Sequence, residues 1–367
     1  MRSPLLDTSG AVAAQAPDET VAAHYGDPYA EQRALAEGRA LVDRSDREVV
    51  RIAGPDRLSW LNDLSSQKLD TLQPGTPAQA LLLDGQGRVE HHLTLVDDGE
   101  AVWAHVEPGT AAELVAFLEK MRFMLRVEVA ELTSDYAVVS VAPPVPAGEP
   151  AAQEESWAES RAEGRALPEG TVAMGSGDLL VPRGRLAGLP EELGLRPAGL
   201  WAYEALRIAA HVPRLGFETD HKTIPHEVGW IGVAVHLSKG CYRGQETVAR
   251  VHNLGHPPRR LVFLHLDGSV DSLPPHGAPV TLGVSTPVEA EPEAAVEGAA
   301  EPGQLGFVGS SARHYELGPI ALAVVKRTVP VDIDLLAGGV AASQEIVVPP
   351  DAGRNVHIDP ALRRRVR

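Results

Sequence analysis

Apolar residues recur along the chain at strand spacing in some stretches and at helix spacing in others. Residues 48–52 read as a strand ending at Gly54. Pro55 suits a first helical position, and Leu58, Leu61 and Leu64 then recur at helical spacing. The apolar run 80–83 meets the turn Asp84-Gly85-Gln86-Gly87, and a return strand over 89–96 completes a predicted hairpin. A third strand, 101–106, leads to Thr110-Ala111-Ala112-Glu113, a capping-box signature opening an amphipathic helix to residue 120. Strands at 126–132 and 136–142 follow. This order predicts an α+β domain with helices packed on an antiparallel sheet.

The flanking regions are less regular. Residues 1–45 are alanine-rich and acidic and read as a partly ordered N-terminal extension, with a short helix expected over 29–42. Residues 143–170, rich in Pro, Ala, Glu and Gly, read as a linker or loop. A second α+β domain is expected over 171–257. Its strongest helix spans 198–210, with Trp201, Ala205 and Ile208 on one face. After Pro257-Pro258 come short strands at 261–266, 278–282, 305–310 and 320–326, the pattern of a small β-barrel or sandwich over 258–330. An acidic low-complexity insert at 288–301 reads as disordered, and 331–367 as a tail with little pattern.

Composition narrows the function classes. At 367 residues and 44% hydrophobic content, the chain has material for about two or three cored domains. A net charge of −17 argues against direct nucleic-acid binding, because phosphates would be repelled. No apolar run approaches the ~18 residues of a membrane span, and the first residues lack a secretory pattern, so a cytoplasmic location is expected. One cysteine rules out an intramolecular disulfide. It also leaves this chain unable to supply the four thiolates that usually hold an iron–sulfur cluster.

That cysteine lies in the densest constellation of the sequence, Lys239-Gly240-Cys241-Tyr242-Arg243-Gly244-Gln245-Glu246 followed by Thr247-Val248-Ala249-Arg250. The two glycines let the backbone turn sharply, and Lys239 and Arg243 favour the reactive thiolate. The competing reading is a small buried hydrophobe. The 14 histidines do not form a metal-binding pattern. His91 and His92 are adjacent on a strand and point to opposite faces, and His226-Glu227 lacks a second histidine four residues on. His252 and His256 are four apart, but Asn253, Gly255 and Pro257 argue against a helix through them. Phosphate-loop, dinucleotide and nucleophile-elbow motifs are absent. A Cys–His hydrolase built on Cys241 with His226, His236 or His252 lacks anything that fixes its geometry.

Here the chain resembles the YgfZ-type folate-binding proteins, relatives of the aminomethyltransferase (T-protein) of the glycine cleavage system. The resemblance rests on Lys-Gly-Cys-Tyr-x-Gly-Gln-Glu with the following Val-Ala-Arg, the upstream Leu206-Arg207-Ile208, and Ile224-Pro225 with Glu227. Looser similarity covers residues 46–330, including Gly54 to Leu61. The resemblance implies a three-part ring of two mixed antiparallel-sheet and helix domains plus a small C-terminal β-barrel, with residues 46–142 as the first folate-binding domain. It implies tetrahydrofolate, or another reduced folate, in a central channel. It also implies a role in assembling or maintaining iron–sulfur proteins, tRNA-modifying enzymes among them, with client proteins or assembly factors as partners. Carried over by position, Cys241 becomes the reactive residue, and Lys239, Tyr242, Gly244, Gln245, Glu246 and Arg250 become folate-site residues. Glu246 or Glu227 would accept from pterin N–H groups, and Lys239 or Arg250 would meet the glutamate tail.

The chain departs from the transferases at the positions that carry their chemistry. Their paired aspartates after the first hairpin turn correspond to His91 and His92, and the glutamate that reads the pterin corresponds to Ala209. Glycine cleavage is therefore not expected. Two alternatives remain beside the folate-dependent accessory factor: a methyl or aminomethyl transferase rebuilt around His91 or His92, and a non-catalytic protein-binding scaffold.

Overall fold

The computed structural model describes residues 1–144, 167–175, 177–283 and 303–356. The acidic insert and most of the 143–170 stretch lie outside the described residues. Three bodies make up the fold. The first is an antiparallel five-stranded sheet in the order Pro77–Leu83, Val89–Asp97, Ala101–Val106, Glu48–Ala53, Glu128–Glu131. Helices Arg57–Leu64 and Ala111–Arg122 cover one face. The period of two decides which side chains go where. From strand Ala101–Val106, Val102, Ala104 and Val106 enter the core beneath the helices, while Ala101 and Trp103 face the second sheet.

The second sheet runs Val172–Ala173, Asp178–Pro182, Tyr136–Ser140, Ala40–Asp43, Arg196–Ala198, and its last pair is parallel. It draws strands from three separate stretches. Ala40–Asp43 comes from the region read as an extension, where the helix is confined to Pro28–Ala36 and gives way to a strand. Tyr136–Ser140, read with the first domain, pairs here with Asp178–Pro182. Helix Leu200–Ala209 buries Leu200, Ala202, Tyr203, Ala205, Leu206 and Ile208. Trp201, expected on that face, lies outward at 51% exposure and stacks on His24 at 5.0 Å.

The third body is a closed six-stranded barrel, Arg259–Leu266, Gly318–Lys326, Gly306–His314, Pro279–Leu282, Leu335–Ala337, Val340–Ile346. Its last two strands fall in the stretch read as a tail. Leu335–Ala337 has only 3 residues, and Val340–Ile346 is rich in Ala, Ser and Gln, so they carry little of the β-branched signal by which strands are recognised. A further core joins the hairpin, the cysteine segment and the barrel through Leu81, Leu83, Trp230, Tyr242, Val248 and Phe263. No described helix is long and apolar enough to cross a membrane.

Candidate functional site

The cysteine loop is anchored through the residues on either side of the thiol. Upstream, Ser66 accepts from the His236 amide at 2.9 Å through its carbonyl and donates through Oγ to the Ala234 carbonyl at 2.6 Å. Gln67 Nε2 donates to the Val233 carbonyl at 2.8 Å. Lys239 is buried. Its ammonium donates to the carbonyls of Asn62 and Ser65, so it caps the C-terminal end of helix Arg57–Leu64. Burial pulls its pKa down to about 8. The same ammonium lies 4.9 Å over the Tyr242 ring, which is itself buried in the shared core.

Gly244 has φ +85°, and a Cβ there would meet the Asp84 carbonyl oxygen at 2.7 Å and Gly87 Cα at 2.8 Å. The loop thus rests directly on the hairpin turn, which explains the glycine on both sides of that contact. Gln245 Nε2 donates to the Gly240 and Lys239 carbonyls at 3.3 and 3.4 Å, and helix Gln245–Leu254 begins there. Cys241 is exposed within this frame. Arg243 pairs at the surface with Glu90 at 3.0 Å.

The other carried-over residues scatter. Glu246 and Arg250 are exposed on helix Gln245–Leu254, and among the described residues no ion pair joins them. Glu227 is fully buried and accepts from Arg259 Nε at 2.9 Å and Nη2 at 2.8 Å, with Asp220 completing the cluster at 2.6 Å from Arg259 Nη1. Its acceptors serve the first barrel strand, which leaves little for a ligand. His252 is helical, contrary to expectation, and His256 lies beyond the Gly255 cap. Among the described residues no group of three His, Cys, Asp or Glu side chains is placed to hold a metal ion.

A separate cavity of about 110 Å³ lies where the first sheet, the second sheet and helix Leu200–Ala209 meet. His92 lines it and Cys241 does not. His92 Nε2 bonds Gln79 Oε1 at 2.9 Å, and its ring packs on Trp230 at 4.7 Å. Burial, helped by Arg47, pushes its pKa down to about 3, so it is neutral. His91, on the opposite face of the strand, does not line the cavity; burial lowers its pKa as well.

Around the cavity runs a buried ionic network. Arg44 donates to Asp178 Oδ2 at 3.1 Å and to Ser140 Oγ at 3.0 Å, and its guanidinium lies 4.0 Å over the Tyr203 ring. Arg47 donates through Nε to His105 Nδ1 at 2.8 Å, so the His105 proton sits on Nε2 and faces Asp178 at 3.1 Å. Burial and Arg47 hold His105 at about 4. Glu107 is shared by Arg47 and by Arg214 Nε at 2.9 Å, and Arg214 also clamps Asp18 at 2.7 and 2.9 Å. Arg207 links Glu204 at 2.7 Å, Glu218 at 3.2 Å and Ser310 of the barrel at 2.7 Å. Asp46, on the turn after strand Ala40–Asp43, lines the cavity, and its Oδ1 is buried without a hydrogen-bond partner. Burial first, then Asp18, pushes its pKa up to about 7 against Arg214, Arg44 and Arg47.

Sequence reasoning missed most of this wall: Arg44, Asp46, Arg47, His105, Glu107, Asp178 and Arg214. One local signal was present. Asp43-Arg44-Ser45-Asp46-Arg47 is a charged run wedged between two apolar strands, where polarity must be satisfied inside the fold.

Comparison with known proteins gives a consistent picture. Residues 6–147 match the GCVT N-terminal domain. A chloroplastic protein of Arabidopsis thaliana named as a transferase is 25% identical over 255 residues, 64% of this chain and 57% of the relative. An aminomethyltransferase of Rubrobacter xylanophilus is 26% identical over 77% of this chain and 80% of its own length. A mitochondrial iron–sulfur cluster assembly factor of Mus musculus is 27% identical over 71% of this chain and 74% of its own. The crystal structure of the glycine cleavage system aminomethyltransferase T from Bartonella henselae superposes with a TM-score of 0.70, at 18% identity, over 96% of this chain and 98% of that one.

Proposed function

Because this chain is a relative of the glycine cleavage T-protein, of the type that includes iron–sulfur cluster assembly factors, we propose that it is a folate-binding accessory factor for iron–sulfur proteins that works through Cys241. The observation that carries this reading is the cysteine loop. Lys239, Tyr242, Gly244 and Gln245, four residues of the signature, hold the backbone, and the thiol between them is left exposed. A buried structural cysteine needs no such frame, whereas a thiol that must meet a client protein does.

The cavity is the proposed seat of the folate ring. Gln79, His92 and Thr94 offer neutral polar atoms, and Leu200, Tyr203 and Pro213 offer apolar surface, a mixture suited to a flat heterocycle. Sites for whole drug-sized ligands run to ~300–1,000 Å³, so about 110 Å³ takes the ring and leaves the tail outside. A bound reduced folate would supply one-carbon chemistry, and this chain's residues would bind and orient it. A transferase built on His92 is disfavoured, because an imidazole held at about 3 is a weak base at neutral pH.

Calorimetric titration of the purified, folded protein with tetrahydrofolate, anaerobically and under reduction, tests the reading. One saturable equivalent supports it. No binding overturns the folate part and leaves a protein-binding scaffold on an inherited fold.

A further inference from the structure

We infer that Asp46 receives the amino-bearing edge of the ring in the cavity and thereby decides which heterocycle is accepted. The inference rests on the folate reading above and adds a specificity-determining residue to it. The other carboxylates of the wall are committed. Asp178 serves Arg44 and His105, Glu107 serves Arg47 and Arg214, and Glu204 serves Arg207. Asp46 alone among these described wall carboxylates keeps a buried oxygen without a partner. A buried acceptor in that state calls for a donor.

The chemistry of the ring end matches that need. A 2-amino-4-oxo pteridine presents an exocyclic NH₂ beside a ring N–H, two parallel donors spaced for one carboxylate. A 2-oxo ring of the same size presents a carbonyl there, which a carboxylate repels. The group also titrates where discrimination can be switched. Burial first, then Asp18 from the N-terminal segment, raises its pKa, and Arg214, Arg44 and Arg47 oppose that, leaving it at about 7. His92 and His105 across the cavity stay neutral from pH 6 to 8, held at about 3 and 4, so they do not mimic the transition. Above pH 7 the carboxylate accepts both donors; below it the acid loses that preference.

Fluorescence titrations of the intact protein with 6-methylpterin and with lumazine, its 2-oxo counterpart, test this. At pH 7.5 the wild type is expected to prefer the pterin by at least about tenfold, a preference that shrinks by pH 6. In Asp46→Asn, whose amide can present either an oxygen or an NH₂, the ratio is expected to fall towards one and to lose its pH dependence. Two results overturn the inference while the folate reading stands: tetrahydrofolate binding with an unchanged ratio in Asp46→Asn, or a wild-type ratio at or below one. The wild-type preference between the two rings decides the matter if Asp46→Asn does not fold. Absence of binding by tetrahydrofolate, pterin and lumazine alike would remove both.

Discussion

The Lys239 ammonium donates to the carbonyl of Ser65 at 2.5 Å, tying the cysteine loop of one body to a helix end of another. Lys239, which with Arg250 is one of two residues the resemblance offers for a folate tail, here holds two chain segments together. Replacing it by Met keeps the apolar stem but strands two helix-end carbonyls, at an expected loss of about 1–3 kcal/mol. Urea denaturation would read the loss. Limited proteolysis should show new cleavage between residues 237 and 244. An unchanged midpoint and an unchanged digest would show that the bonds contribute nothing.

Gly244→Ala should be more damaging than an ordinary surface change. The left-handed backbone alone penalises a side chain by roughly 1–2 kcal/mol. The added methyl must also displace the Asp84 carbonyl, 2.7 Å away. Thermal denaturation should show a clear drop, whereas Gly240→Ala, where a Cβ meets nothing within 4 Å, should melt close to wild type.

Cys241→Ser should leave the fold alone, because the residue is exposed, with a stability change within about 0.5 kcal/mol. Maturation of an iron–sulfur client in cells carrying only this variant should fail. A serine variant that sustains client activity at the wild-type level would remove the thiol from the proposal.

His92 gives a signed pH prediction. Its folded pKa of about 3 lies below the ordinary 6.5, so the unfolded chain binds the proton first. The contribution is fully present above pH 6.5 and is lost as pH falls towards 3. Between pH 7.5 and 5 the wild type should therefore lose about 1–2 kcal/mol that His92→Asn does not lose. Parallel acid limbs for the two proteins in denaturant titrations would contradict this.

Local pattern carried some of the architecture and little of the cavity. The hairpin was legible because Asp84 and Gly87 mark its turn and Leu81 and Leu83 set its alternation. Most of the cavity wall was not legible, because most of its charges are neutralised from far away. Arg47 finds Glu107, Arg44 finds Asp178, and Arg214 reaches back to Asp18, 196 positions earlier. Only the folded chain decides which charge meets which. The partner of Glu227 was hidden for the same reason. Glu227 reads as a free carboxylate until Arg259, beyond two prolines, closes on it. Strand Ala40–Asp43 was obscured because the sheet that recruits it is assembled from distant pieces.

The closed barrel has a consequence for synthesis. Strand Arg259–Leu266 is paired on one side by Gly318–Lys326 and on the other by Val340–Ile346. While the ribosome is still adding the intervening residues, the apolar run Leu261-Val262-Phe263-Leu264 therefore waits with an open hydrogen-bonding edge, the kind of surface on which nascent chains stick to one another. A message truncated just before codon 340 should yield a product that depends on chaperones, although every residue of the cysteine loop and the cavity has already been made.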